Sequence, residues 1–195
     1  MAADAREFTW DDLAAVIGQD FSGGAVDEAI DPIEGSLIRR YCEPLEMDCP
    51  LFYDDDVARQ HGYQGVFAPL SGMRYFAYPA LWRPGDPTRY PNAEPDDFAA
   101  GRRHQPVRPP APEIPMPKTT AFFITDIEVE YHGEAYVGDR LSVRGRKLIS
   151  VTPKRTSVGE GAFVVWQHEI IDQTGRLIAT LNAGGFHYNP TTAGD

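Results

Sequence analysis

Residues 41–73, YCEPLEMDCPLFYDDDVARQHGYQGVFAPLSGM, contain most of the local signals that decide the fold. The segment begins as the end of a helix that Pro44 should stop near Cys42, because proline cannot donate a helical hydrogen bond. The aspartates at 54–56 favour the positive N-terminal end of a short helix, which Gly62 should end. An extended stretch and the start of a second, apolar helix complete the segment.

The residues before this segment predict two further helix starts and one strand. Thr9 can cap a short helix, with Asp12 at the capping-box position. Residues 25–30 alternate enough for an edge strand. Asp31 as N-cap and Pro32 at the first helical position predict the start of the helix that Pro44 stops.

The second half of the chain predicts a buried helix followed by a sheet. Residues 72–81 are apolar on nearly all sides, which is typical of a buried helix. Alternating residues then predict strands, with a turn at Thr174–Gly175; these strands cover 121–131, 141–151, 163–171 and 177–188. Helices followed by antiparallel strands indicate an α+β domain, with one long helix packed on the sheet.

Length and charge limit the possible functions. The chain has 195 residues, a net charge of −11 and two cysteines, which indicates one cytoplasmic domain over 1–195 without a disulfide framework. Such an acidic surface does not suit nucleic acid, and no apolar run is long enough for a membrane span. Residues 1–20 form a helical extension. The proline-rich residues 84–117 form a loop insertion, either a disordered tether or a cover over neighbouring surface.

Several short motifs resemble the MaoC-like enoyl-CoA hydratase/dehydratase family. They are Pro50, Leu51 and Asp54, Ala58–Arg59, Gly65–Ala68, Val137–Leu141, and Pro153–Thr156 with Gly159 and Gly161. The last group resembles the N-terminal-type MaoC dehydratase domain, and together the matches cover about 26–188. The resemblance implies a hot-dog fold, in which an antiparallel sheet wraps around a long central helix.

Two departures from the family pattern concern catalysis. Met47 stands at the catalytic Asp position and Phe52 at the catalytic His position, and neither side chain can transfer a proton. Weak substitutes are Asp48, Asp54 and His61, although Asp54 and His61 are equally explained as residues at the ends of a helix. The catalytic residues therefore stay unassigned. No metal site is expected either, because no His or Cys stands at ligand spacing from the aspartates at 54–56.

The resemblance also suggests residues that bind substrate. Leu70, Ser71 and Gly72 can offer backbone N–H groups to a thioester oxygen, or can simply form a helix N-terminus. Phe52 would make the pocket apolar and suit a bulky acyl group. A basic stretch can meet the phosphates of coenzyme A, or can protect a strand edge from aggregation; it contains Arg144, Arg146, Lys147, Lys154 and Arg155.

Three functions follow. The leading one is the degenerate half of an (R)-specific enoyl-CoA hydratase or 3-hydroxyacyl dehydratase, paired with a catalytic hot-dog chain in a hetero- or homodimer. The second is a self-sufficient dehydratase or cyclase that uses Asp48, Tyr53, Asp54 or His61. The third is a non-catalytic protein that binds a hydrophobic ligand. The resemblance implies no cofactor other than the coenzyme A or carrier thioester of the substrate.

Overall fold

The computed structural model describes residues 7–80, 82–86 and 109–191. Within these ranges, five strands form one antiparallel sheet in the order β1-β3-β4-β5-β2. The strands are β1 (Val26–Glu28), β2 (Ala121–Tyr131), β3 (Ser142–Arg155), β4 (Gly159–Ile171) and β5 (Leu177–Pro190). The α-helices are α1 (Trp10–Ala14), α2 (Gly35–Cys42), α3 (Asp55–Gln60) and α4 (Met73–Phe76). The α+β class is confirmed.

The strand predictions are confirmed with small changes in bounds, and the predicted Thr9 cap is confirmed. β2 has the predicted ends, and β3, β4 and β5 are each somewhat longer than predicted. The Thr9 capping box forms, with the Thr9 hydroxyl accepting from the Asp12 N–H. The three aspartates lie at the start of α3 as expected, and Asp54 is its N-cap. Local signals are reliable here because caps and strand alternation depend on neighbours in the sequence.

The start predicted for α2 is wrong. The helix begins at Gly35 with Glu34 as N-cap, so Asp31 does not cap it. Tertiary hydrogen bonds hold the preceding residues extended: the Ile33 N–H donates to the Asp139 carbonyl at 2.8 Å, and the Gly138 N–H donates to the Ile33 carbonyl at 2.8 Å. These bonds outweigh the local helix-start signal.

The expected helix over 72–81 is also wrong in its length. A 3-10 turn, Leu70–Gly72, leads into the four-residue α4, and the chain leaves the helix at Ala77. Pro79 then lies in a bridge opposite Ala29. Proline opposes continuation of the helix, and the bridge to Ala29 draws the chain towards β1. Leu81 and residues 87–108 of the loop insertion lie outside the described residues, and none of the described helices is both long and apolar enough to cross a membrane.

Two apolar clusters cover the sheet. The helix-side core is formed by buried residues of α2, α4, the sheet and the segments that connect them; among them are Ile33, Ile38, Cys42, Ala68, Met73, Phe76, Leu141, Ile170 and Ile178. The N-terminal core contains Leu13, Phe21, Leu148, Ala162, Val164 and Trp166. Burial of these side chains is the main stabilising term of the fold.

Candidate functional site

The segment that resembles the hydratase motif is packed into the protein. Pro50–Phe52 forms a 3-10 turn directly before α3. Met47 and Phe52 are half-buried and both pack against the helix-side core. The Phe52 ring meets the Phe67 ring edge-on, with 5.4 Å between centroids. Met47 and Phe52 therefore serve as apolar packing groups in this chain.

The Tyr53 hydroxyl lies beside Met47. Its phenol donates to the Met47 carbonyl at 2.6 Å. Burial raises the pKa of Tyr53, and its hydrogen bond with Cys42 and the negative charges of Glu43 and Asp48 raise it further. A phenol with a raised pKa keeps its proton, so Tyr53 is suited to donate a hydrogen bond and not to act as a base.

The substitute residues are not brought together. The Asp54 carboxylate accepts from the N–H groups of Asp56 at 2.8 Å and Val57 at 3.1 Å, which is a capping role. His61 follows α3, and its Nδ1 bonds to the Val57 carbonyl at 2.9 Å. Within the described ranges, no hydrogen bond or ion pair joins Asp48, Asp54 and His61. These contacts favour the structural interpretation of Asp54 and His61.

The turn before α4 offers two backbone donors. The Gly72 N–H already donates to the Pro69 carbonyl at 2.8 Å, so Gly72 is not available as a donor to substrate. In the part of the chain that the structure describes, the N–H groups of Leu70 and Ser71 have no acceptor. The Ser71 hydroxyl accepts from the Tyr41 hydroxyl at 3.2 Å. The predicted set of donors is therefore reduced to Leu70 and Ser71.

The predicted basic cluster is split along β3. Arg144 donates to the Glu169 carboxylate at 2.7 Å, and Lys154 lies over the Phe163 ring at 5.8 Å. Ten residues of strand separate Arg144 from Lys154, which corresponds to about 30 Å. Arg155 is exposed at the far end of the same strand. One phosphate group therefore cannot meet both ends of the stretch.

Strand β2 is an exposed apolar edge of the sheet. It pairs with β5 on one side, and among the described strands none pairs with its other side. Large apolar side chains on it are strongly exposed; they are Phe122 at 55%, Phe123 at 42%, Ile124 at 62% and Ile127 at 51%. An unpaired edge that is also apolar favours pairing with another chain.

Two residues that the sequence did not single out lie at a cavity of the sheet. Arg74 on α4 and His168 on β4 both line it. A signal existed for Arg74, since it is a charged residue in an otherwise apolar segment. His168 was correctly expected on a strand, as was His187, but its neighbours depend on the tertiary fold. His132 directly follows the last residue of β2.

Similarity to known proteins agrees with this architecture. A probable enoyl-CoA hydratase alpha subunit from Thermomonospora curvata is 30% identical over 151 residues, covering 77% of this chain and 43% of that protein. The 3-oxo-4,17-pregnadiene-20-carboxyl-CoA hydratase alpha subunit from Mycobacterium tuberculosis is 25% identical over 165 residues, covering 80% of this chain and 47% of the relative. This chain thus spans less than half the length of these curated relatives.

Solved structures show the same fold. The ChsH1-ChsH2 complex from Mycobacterium tuberculosis contains a chain that superposes with a TM-score of 0.59 at 21% identity, covering 95% of this chain and 92% of that one. The sheet and its helices define a hot-dog protein of the MaoC-like hydratase/dehydratase class. A family model described as the FAS1-like dehydratase domain region matches residues 15–181. The chain belongs to this family.

Proposed function

We propose that the chain is the substrate-shaping half of a MaoC-like (R)-specific enoyl-CoA hydratase or 3-hydroxyacyl dehydratase. The observation that carries this proposal is the packing of Met47 and Phe52 against the helix-side core. These residues stand where the family's catalytic Asp and His would be. A thioether and a phenyl ring cannot move protons, so hydration needs an acid and a base from another chain.

The exposed edge of β2 supports a partner that is itself a hot-dog chain. A second sheet pairing with β2 would satisfy the free backbone groups of the edge and cover Phe122, Ile124 and Ile127. Two similar domains would then be related by an approximate twofold axis. The names of the relatives also support a subunit role, since both are alpha subunits and the matched structure is a complex of two proteins.

The substrate of the proposed assembly is an acyl thioester of coenzyme A or of a carrier protein. The N–H groups of Leu70 and Ser71 are the donors that this chain offers to a thioester oxygen. Phe52 gives the neighbouring wall an apolar aromatic surface next to Phe67. In this proposal the chain contributes acyl-chain specificity, and the partner contributes proton transfer.

The test measures hydration of trans-2-enoyl-CoA in three samples. They are the chain alone, a second hot-dog chain that has the family's catalytic Asp and His, and the mixture of the two chains. We expect the chain alone to be inactive. We expect the mixture to prefer different acyl groups from those that the second hot-dog chain prefers by itself. Phe52→Ala should change that preference, whereas Leu45→Ala, at an exposed position, should not. An unchanged preference in Phe52→Ala would remove the support for substrate shaping.

A self-sufficient dehydratase or cyclase is the second candidate, because the Tyr53 hydroxyl lies 2.6 Å from the Met47 carbonyl. Turnover by the chain alone that is lost in Tyr53→Phe would favour this candidate. Saturable binding of an acyl ligand by the chain alone, without turnover in any mixture, would instead favour a binding protein.

A further inference from the structure

The free edge of the sheet at β2 has two chemically different faces. Side chains alternate between the two faces of a strand, and Val129 packs against the helix-side core. The odd-numbered residues of 127–131 therefore face the helices, and they are apolar or aromatic. The opposite face carries three exposed acidic residues, which form the acidic edge: Asp126, Glu128 and Glu130.

Within the described ranges, no cation pairs with the acidic edge. Neither β2 nor the neighbouring β5 contains a lysine or an arginine. Along the row of paired residues that starts at Glu128, the first cation is Lys147 on β3, three strands away. Strands are about 4.8 Å apart, so the separation is about 14 Å, which exceeds the Debye length of about 8 Å at physiological salt. The His132 imidazole bonds through Nε2 to the Thr180 hydroxyl at 2.9 Å and not to an acid.

A row of side-chain hydrogen bonds holds Glu128 in place. The Gln167 amide donates to the Asn182 side-chain oxygen at 3.0 Å, and the Asn182 amide donates to the Glu128 carboxylate at 3.2 Å. The row crosses three strands and ends in a carboxylate at the free edge. A carboxylate accepts more than one hydrogen bond, so Glu128 has acceptor positions left for a donor on an added strand. A charged acceptor at this place favours a Lys or Arg as that donor.

The other two acids of the acidic edge are also available to a partner. Asp126 accepts from the hydroxyl of its neighbour Thr125 at 2.6 Å, and Glu130 makes no side-chain hydrogen bond or ion pair with any residue that the structure describes. The three carboxylates follow one another at every second residue, which corresponds to about 7 Å. Side chains on one face of an added strand have the same spacing, so each carboxylate can meet one residue of that strand.

A second copy of this chain fits this edge poorly. Two copies related by a twofold axis would pair β2 with β2 in antiparallel orientation. Asp126 is the middle residue of β2 (Ala121–Tyr131), so complete pairing would bring Asp126 close to the same residue of the second copy. Like charges directly opposite each other in a sheet are destabilising, and neither β2 strand supplies a Lys or Arg.

We propose that β2 pairs with an edge strand of a different chain, which has Lys or Arg opposite the acidic edge and apolar residues opposite Ile127 and Tyr131. The inference rests on the proposed function for the class of partner, a second hot-dog chain, and adds the chemistry of the strand that this partner presents. Opposite charges across the strand pair stabilise it and accelerate association, whereas the same acids weaken pairing between two copies of this chain.

The experiment is sedimentation velocity of the full chain, first alone and then mixed with a second hot-dog chain that has the family's catalytic Asp and His. The neutral variant combines Asp126→Asn, Glu128→Gln and Glu130→Gln. It should bind the second chain about tenfold more weakly, because three charge pairs across the strands are lost. By itself it should form dimers more readily than the unchanged chain, because the repulsion between two copies is removed.

Salt should act in opposite directions on the two associations. Raising the salt concentration from about 0.1 M to about 1 M shortens the Debye length from about 10 Å to about 3 Å. The unchanged chain should then bind the second chain more weakly and bind a second copy of itself more tightly. The neutral variant should respond much less in both measurements, because its β2 edge has no charge to screen.

The matched control removes three exposed acids outside β2 through Asp11→Asn, Asp31→Asn and Glu160→Gln. It should associate with the second chain and with itself as the unchanged chain does. Equal effects of the two triple variants would overturn the inference, because the effects would then follow from net charge alone. Self-association of the unchanged chain as strong as that of the neutral variant would also overturn it.

The affinity for the second chain separates this inference from the proposed function. If the neutral variant binds the second chain as tightly as the unchanged chain does, the acids only oppose self-pairing, and the basic partner strand is refuted while the proposed function stands. If the second chain does not bind the unchanged chain at all, both the inference and the partner of the proposed function are refuted.

Discussion

Replacement of Ile124 by lysine tests the role of the β2 edge. Ile124 is 62% exposed in the isolated chain, so a partner that covers β2 has most of this side chain left to bury. Full burial of an isoleucine contributes about 1.5–3 kcal/mol, and the exposed share corresponds to about 1–2 kcal/mol. The dissociation constant of the assembly should therefore increase by about 5- to 30-fold, since about 1.4 kcal/mol corresponds to tenfold.

The same change should leave the isolated chain folded. An exposed position on an edge strand changes the free energy of unfolding by less than about 1 kcal/mol. Val26→Lys is the matched control, because Val26 is a β-branched residue with 53% exposure on the opposite edge of the sheet. Urea unfolding of both variants would verify that they fold.

Sedimentation velocity measures the assembly, first with the chain alone and then with the second hot-dog chain of the proposed function. We expect Ile124→Lys to weaken the assembly and Val26→Lys to behave as the unchanged chain does. If Ile124→Lys assembles with unchanged affinity, or if both variants lose affinity equally, β2 is not the interface.

Three further changes test the fold and the assignment of roles. Asp54→Ala should lower the free energy of unfolding by about 1 kcal/mol through loss of the α3 cap, while Asp48→Ala has little effect in the same urea titration. Leu148→Ala should cost about 2–5 kcal/mol because Leu148 is fully buried, and the exposed Leu45→Ala is its control.

Asp172→Asn is the third change, and it tests the effect of pH on stability. Burial raises the pKa of Asp172, but hydrogen bonds from Thr174 and Arg176 outweigh it and hold the pKa below the usual value. A lowered folded-state pKa stabilises the fold above about pH 4, and this contribution is lost as the pH falls through the folded-state value. The difference in free energy of unfolding between the unchanged chain and Asp172→Asn should therefore be constant near neutral pH and become smaller in acid. A difference that becomes larger in acid would contradict a lowered pKa of Asp172.

The sequence determined the features that depend on near neighbours. Alternating residues predicted β2 with its observed bounds, the predicted Thr9 cap formed, and the aspartates at 54–56 lie at the start of a short helix as predicted. That Met47 and Phe52 stand at the family's acid/base positions stays a prediction from the sequence motif.

Only the tertiary structure decided where α2 begins, where α4 ends and which distant residues meet. Hydrogen bonds from Ile33 delayed α2, and the bridge between Pro79 and Ala29 accompanies the early end of α4. The basic stretch on β3 looked like one cluster because its residues are close in sequence, yet an extended strand separates them. Arg74 and His168 come together for the opposite reason: sheet pairing and packing join residues that no local pattern connects.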